Sequence, residues 1–212
     1  ILNIANPTIA KDLNVSMQQV QWVVTAYMLI ITATLIFLGR LGDQIGSNKI
    51  YKHGFLVFTL GSFLCSISPS LGWLISSRLV QGIGASMMMA TGMGIISNVF
   101  PPNERGKALG LTGMVVGIGN MSGPSLGGLL VAHFAWPVVF LINIPIGLLG
   151  FYLASQYLPC QSANKELKGY DMAGTFTFAL AIATLLYALS AGSKINIGFL
   201  VLALLILLLF YY

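Results

Sequence analysis

The sequence predicts an all-α integral membrane protein. Of its 212 residues, 57% are hydrophobic and only 7% are charged, whereas about a quarter of the residues in a soluble domain are charged. The apolar residues occur in runs of about 20, the length that an α-helix needs to cross a bilayer. Because backbone groups in lipid must bond internally, such runs form helices. We therefore predict a series of consecutive transmembrane helices.

Short polar segments separate the apolar runs and set the predicted elements. Residues 1–10 are too short to span a bilayer, so we expect them to be the outer end of a truncated first helix. Ser16 is the predicted N-cap of the second helix. Polar loops are expected at 39–52 and 101–107. The spans are predicted at about 16–38, 50–68, 71–99, two within 108–164 that divide near 133–137, 171–191, and a last run to 212.

The distribution of Lys and Arg predicts the orientation, because cytoplasmic loops carry the excess of positive charge. One set of alternate loops contains Arg40, Lys49, Lys52, Arg105, Lys107, Lys165 and Lys168. The other set contains only Lys11 and Lys194. We expect the first set and the C-terminal end on the cytoplasmic side of a cell (plasma) membrane, with residue 1 inside the bilayer. Trp22, Trp73 and Trp136 then fall in an outer aromatic belt.

Several functional classes are disfavoured by composition. The formal net charge of +5 is spread over loops without a basic run, so nucleic acid is not an expected partner. His53 and His133 lie on opposite sides in this topology and make a poor metal pair. No catalytic motif is apparent, so the chain is not expected to be an enzyme or to hold a metal. The run 87–89 of three Met residues could line an adaptable apolar cavity, although core packing is the favoured interpretation.

A glycine-rich span at 110–128 has seven Gly and one Pro among its residues. On a helix, these residues form two adjacent stripes that let neighbouring backbones approach closely, and Pro124 favours a bend. We predict a tightly packed, kinked helix between two neighbours; ordinary glycine-rich membrane packing is the alternative. The pattern is similar to the fifth-helix antiporter motif of the major facilitator superfamily, through Gly110, Gly119, Gly123, Pro124, Gly127 and Gly128. The resemblance implies exchange of substrate for protons.

Arg78 is the one formal charge well inside a predicted span. Because a charge in lipid is costly, we expect its guanidinium to point into the bundle, towards the first helix, and to bond backbone carbonyls or Gln81. An arginine that reaches the outer interface is the alternative. The surrounding residues resemble the superfamily's fourth-helix motif. That resemblance implies that Arg78, with Gln81, takes part in proton coupling.

The inner loop at 39–49 combines glycines with charges of both signs. Its predicted functional residues are Gly39, Arg40, Asp43, Gly46 and Lys49. Asp43 could form ion pairs with the basic residues or cap helix ends, and the glycines permit a sharp turn. A solvated positive loop is the alternative. The stretch resembles the superfamily's motif between helices two and three, but Gln44, Ser47 and Asn48 replace its usual basic residues.

Residues 3–9 and 140–147 resemble the fourteen-span drug:proton antiporters of the same superfamily. The resemblance implies an N-terminal six-helix bundle (1–158) with its first helix truncated, a cytoplasmic loop (159–170) and two additional transmembrane helices (171–212). It also implies proton-coupled export of small lipophilic or cationic drugs by alternating access. The expected partners are a small-molecule substrate, protons, the lipid bilayer and a missing C-terminal half, with no cofactor besides the proton gradient. The alternatives are a metabolite facilitator or symporter of the same fold, or a truncated non-transporting membrane protein.

Overall fold

The computed structural model describes residues 2–158 and 197–211, together with the single positions 174, 177, 180, 181, 184 and 185. Within these residues all regular secondary structure is helical, which confirms the predicted all-α class. The helices are α1 (Leu2–Asp12), α2 (Met17–Ile45), α3 (Ser47–Ser66), α4 (Leu71–Val99), α5 (Pro102–His133), α6 (Val138–Leu141), α7 (Asn143–Tyr157) and α8 (Ile197–Tyr211). Among the described residues, α2, α4, α5 and the segment Val138–Tyr157 are long and apolar enough to cross a membrane.

The start of α2 forms as the sequence predicts. Ser16 is the N-cap, and its hydroxyl accepts a hydrogen bond from the backbone N–H of Gln19 at 3.3 Å. The side chain of Gln19 accepts in return from the backbone N–H of Ser16 at 2.9 Å. This reciprocal capping box satisfies two donors that the first turn leaves without helical partners.

The predicted loop at 39–52 is wrong. Helix α2 continues to Ile45 and α3 begins at Ser47, so Gly46 alone separates them. The charged segment 101–107 is likewise mostly helical, because α5 begins at Pro102. The reason lies in helix length: the 29 residues of α2 extend about 44 Å, which exceeds a hydrocarbon core of about 30 Å. The polar residues belong to helix ends that project beyond the lipid.

Gly46 makes the abrupt connection possible. Its φ of 105° lies in the left-handed region that side chains disfavour, and its N–H donates to the carbonyl of Gly42 at 2.9 Å. We expect Gly46→Ala to reduce the free energy of unfolding by about 1–3 kcal/mol. Thermal unfolding of the complete protein in detergent measures this. Gly106→Ala is the control, since an added Cβ there meets nothing within 4 Å. Equal melting temperatures for the two variants would contradict the prediction.

The closest backbone-to-backbone contact between helices is that of α3 with α4, and it depends on glycine. A Cβ added at Gly61 would lie 2.5 Å from both the N and the Cα of Gln81 on α4. A Cβ at Gly84 would lie 2.7 Å from the Cα of Phe58 and 2.8 Å from the carbonyl oxygen of Gly54, both on α3. These backbones therefore approach as closely as small residues in membrane helices allow.

A hydrophobic cluster closes the end of the bundle where α1 joins α2. It includes Ile9, Val23, Leu74 and Phe140. Trp136 was expected in an outer aromatic belt, but it is only 3% exposed and packs in this cluster. Its indole N–H donates to the carboxylate of Asp12 at 2.7 Å. The hydrogen bond explains the difference, because it lets the indole leave the lipid interface with its polar group satisfied.

The last apolar run forms a helix, α8, as predicted. The expected loop at 159–170 lies outside the described residues, and so does most of the expected span at 171–191. The division of the chain into a bundle and two additional helices therefore stays a prediction.

Candidate functional site

Arg78 lies inside the bundle, as predicted. Its side chain is 8% exposed. The guanidinium donates through Nε to the backbone carbonyl of Val23 at 3.2 Å and through Nη1 to the side-chain oxygen of Gln81. The alternative of an arginine reaching the outer interface is therefore wrong. The accepting carbonyl belongs to α2, whereas we expected the guanidinium to face the first helix.

Two aromatic rings complete the surroundings of the guanidinium. Its Cζ lies 3.7 Å from the ring centroid of Tyr27 on α2 and 5.9 Å from that of Phe140 on α6. A guanidinium over an aromatic face gains about 0.5–2 kcal/mol, the more so when water is excluded. Sequence analysis missed both rings. The spacing of Tyr27 four residues after Val23 was an available signal for a shared helix face, but nothing in the sequence indicated Phe140.

Gln81 connects the arginine to a third helix. Its side-chain amide donates to the hydroxyl of Ser62 on α3 at 2.6 Å, and that hydroxyl donates to the carbonyl of Phe58 at 2.8 Å. Gln81 is only 1% exposed. We call Tyr27, Ser62, Arg78, Gln81 and Phe140 the arginine cluster.

The arginine cluster holds a permanent positive charge on neutral partners. The acidic residues among the described residues are Asp12, Asp43 and Glu104, and each lies near a helix end. A guanidinium does not deprotonate in proteins. The arginine cluster can therefore set the electrostatic potential in the bundle. A proton that is coupled to transport must bind to another group.

The inner-loop residues do not form the predicted ion-pair cluster. Arg40, Asp43 and Lys49 are exposed, and within residues 2–158 no ion pair joins Asp43 to a basic side chain. No side chain caps the start of α3, whose N-cap is Gly46. The charges lie on helical turns that project from the membrane, where water solvates them. The sharp turn at Gly46 is the part of the prediction that is confirmed.

The glycine stripes of α5 are only partly packed. Gly123 and Gly127 are buried. An added Cβ would meet nothing within 4 Å at Gly110, Gly113, Gly117, Gly119 or Gly128. The predicted tight packing between two neighbours is therefore wrong for these five positions within the described structure. Helix α5 is continuous through Pro124, which is exposed, and Gly128 is half-buried. The bend at Pro124 stays a prediction.

An apolar cavity of about 680 Å³ opens between α3, α4, α5 and α7. Its lining residues include Met88, Met89 and Met93 of α4, Phe55 of α3 and Leu153 of α7. Met87 instead packs in a buried core cluster. Within the run 87–89, Met88 and Met89 thus line a cavity, whereas Met87 packs in the core. Each of the two interpretations of this run applies to part of it.

Comparison with known proteins identifies the family. The model of the Major Facilitator Superfamily matches residues 1–212. The riboflavin transporter RibZ of Clostridioides difficile is 53% identical over 99% of the chain, which covers 46% of that relative. The multidrug resistance protein Stp of Mycobacterium tuberculosis is 34% identical over 92% of the chain and 36% of its own length. For multidrug resistance protein 3 of Bacillus subtilis the identity is 34%, over 92% of the chain and 38% of the relative.

The chain thus spans less than half the length of these relatives. The family match covers every residue and agrees with the helical membrane fold. The chain therefore belongs to the Major Facilitator Superfamily, a family of multi-pass membrane transporters and not of enzymes.

Proposed function

We propose that the complete protein carries a neutral heterocyclic metabolite of the riboflavin class across the cell membrane by alternating access. The observation that carries the proposal is the 53% identity to a riboflavin transporter, set against 34% for two multidrug resistance proteins. The structure supports it, because the buried guanidinium of Arg78 keeps its positive charge on neutral partners, and the described bundle presents no buried carboxylate that would attract a cation.

Proton coupling is part of this proposal. Arg78 and Gln81 join α2, α3 and α4 through hydrogen bonds, so a proton that binds near them changes the stability of that contact. The uncovered glycines of α5 provide a surface against which further helices of the complete protein can pack and slide. No cofactor besides the proton gradient is required. The helix ends rich in Lys and Arg face the cytoplasm in the proposed orientation.

Proton-coupled export of lipophilic or cationic drugs is the second candidate. The antiporter pattern of α5 and the apolar, methionine-lined cavity favour it. Several relatives with resistance names point the same way.

Transport in proteoliposomes distinguishes the two candidates. The complete protein is reconstituted, a pH gradient is imposed, and riboflavin and the lipophilic cation ethidium are followed separately by fluorescence. We expect gradient-dependent movement of riboflavin several-fold above protein-free vesicles, and slower movement of ethidium. Movement of ethidium without movement of riboflavin would overturn the first proposal in favour of drug export.

A further inference from the structure

A polar groove lies between α1 and α2, separate from the arginine cluster. Its volume is about 550 Å³, within the range of small-molecule sites. It is lined by Asn3, Asn6, Met17, Gln18, Gln21, Val24 and Thr25. Four of these side chains are amides and none carries a charge. We call this site the amide groove.

Asn6 lines the groove and has unused hydrogen-bonding capacity. Its side-chain oxygen is buried and has no hydrogen-bond partner among the described residues. Buried polar atoms are normally paired, and an unpaired acceptor is destabilising. Rotation of the Asn6 amide about χ2 exchanges the positions of the oxygen and the two N–H donors, so that the oxygen can face a ligand in the groove. A ligand with an N–H donor would then supply the missing partner.

The amide groove is connected to the arginine cluster through α2. Gln18, Gln21 and Thr25 recur at intervals of three and four residues, so they share one face of the helix. Val23 lies on another face, where its carbonyl accepts from Arg78. A ligand in the groove therefore contacts the same turns of helix that hold the guanidinium.

We infer that the amide groove binds a neutral planar ring that carries an imide-type edge, in which an N–H lies between two carbonyls. This inference rests on the proposed function and specifies how its substrate is recognised. Each amide offers an acceptor and two donors, which complements such an edge, as in the ring of riboflavin. A cation would lack the charged partner that it needs, since none of the described lining residues is a carboxylate.

Equilibrium binding tests the inference without requiring transport. Quenching of riboflavin fluorescence is titrated with the complete protein in detergent, in the absence of a gradient. We expect Asn6→Leu and Gln21→Leu each to weaken binding by about tenfold, the effect of one lost hydrogen bond. Thr25→Val is a near-isosteric variant that tests the same groove if Asn6→Leu fails to fold. Asn98→Leu is the matched control, because Asn98 is an exposed amide at the far end of α4.

The outcomes separate this inference from the proposed function. Affinities within twofold of wild type in all three groove variants would overturn the inference, because the groove side chains would then not contact riboflavin. Absence of riboflavin binding by the wild type would overturn it as well. Binding that is weakened in the groove variants, in a protein that moves no riboflavin in vesicles, would support the inference and overturn the proposed transport.

Discussion

Arg78→Ala is expected to abolish gradient-driven transport by the complete protein. The substitution removes the donors that the carbonyl of Val23 and the side chain of Gln81 now accept from, and it leaves the face of Tyr27 without its cation. Each unpaired buried group costs about 1–3 kcal/mol. The contact between α2 and α4 also loses the positive charge that the proposed coupling requires. We expect the gradient-dependent initial rate to fall at least about 100-fold, equivalent to about 2.7 kcal/mol.

Arg78→Lys tests whether coupling requires the planar guanidinium or only its positive charge. Lysine keeps the positive charge but lacks the planar fork that bonds a carbonyl and an amide together while it stacks on a ring. We expect normal expression and a partial rate, with weaker dependence on the pH gradient. Arg105→Ala is the control, because Arg105 is exposed and bonds only the nearby carbonyl of Phe100 at 3.2 Å among the described residues. Wild-type gradient dependence in Arg78→Ala would contradict the coupling role.

The candidate site was predictable where its residues lie on one helix. Gln81 follows Arg78 by three residues, so helical geometry placed the two side chains together before the structure was known. The cost of a charge in lipid also predicted an inward orientation. Ser62 and Phe140 come from other helices, α3 and α6. Their positions depend on how α3 and α6 pack against α4, and no local pattern reports that.

The fold was predicted less well at the ends of its helices. Polarity alone suggested a loop at 39–52, whereas the polar residues belong to the end of α2, which is longer than the membrane is thick, and to the first turns of α3. The spacing of the glycines was likewise insufficient to predict which helices are in contact. A stripe of small residues shows where a backbone can approach, but it does not say which helix will approach. In the described residues the closest approach of one backbone to another is made at Gly61 and Gly84, and five glycines of α5 remain uncovered.

Gly84→Ala is expected to disrupt the bundle severely. The new Cβ would meet the backbone nitrogen and Cα of Phe58 and the carbonyl of Gly54. These are backbone atoms, so no side-chain rotation relieves the overlap and α3 must move away from α4. Overpacking of a well-packed contact costs about 1–3 kcal/mol. We expect a lower melting temperature and a reduced yield of monodisperse protein. Gly72→Ala on the same helix is the control, because its Cβ meets nothing within 4 Å.

Gly61→Ala is expected to reduce the proposed transport activity as well as to disturb the packing of α3 against α4. Its Cβ would press on the backbone of Gln81, whose side chain bonds both Arg78 and Ser62. Displacing that backbone by a few tenths of an ångström lengthens both hydrogen bonds, which weaken as their geometry departs from the ideal. We expect a well-expressed fraction of the variant to show a gradient-driven rate nearer to that of Arg78→Ala than to that of Gly72→Ala. A Gly61→Ala protein that melts and transports like wild type would mean that α3 and α4 lie farther apart in the working transporter than in this structure.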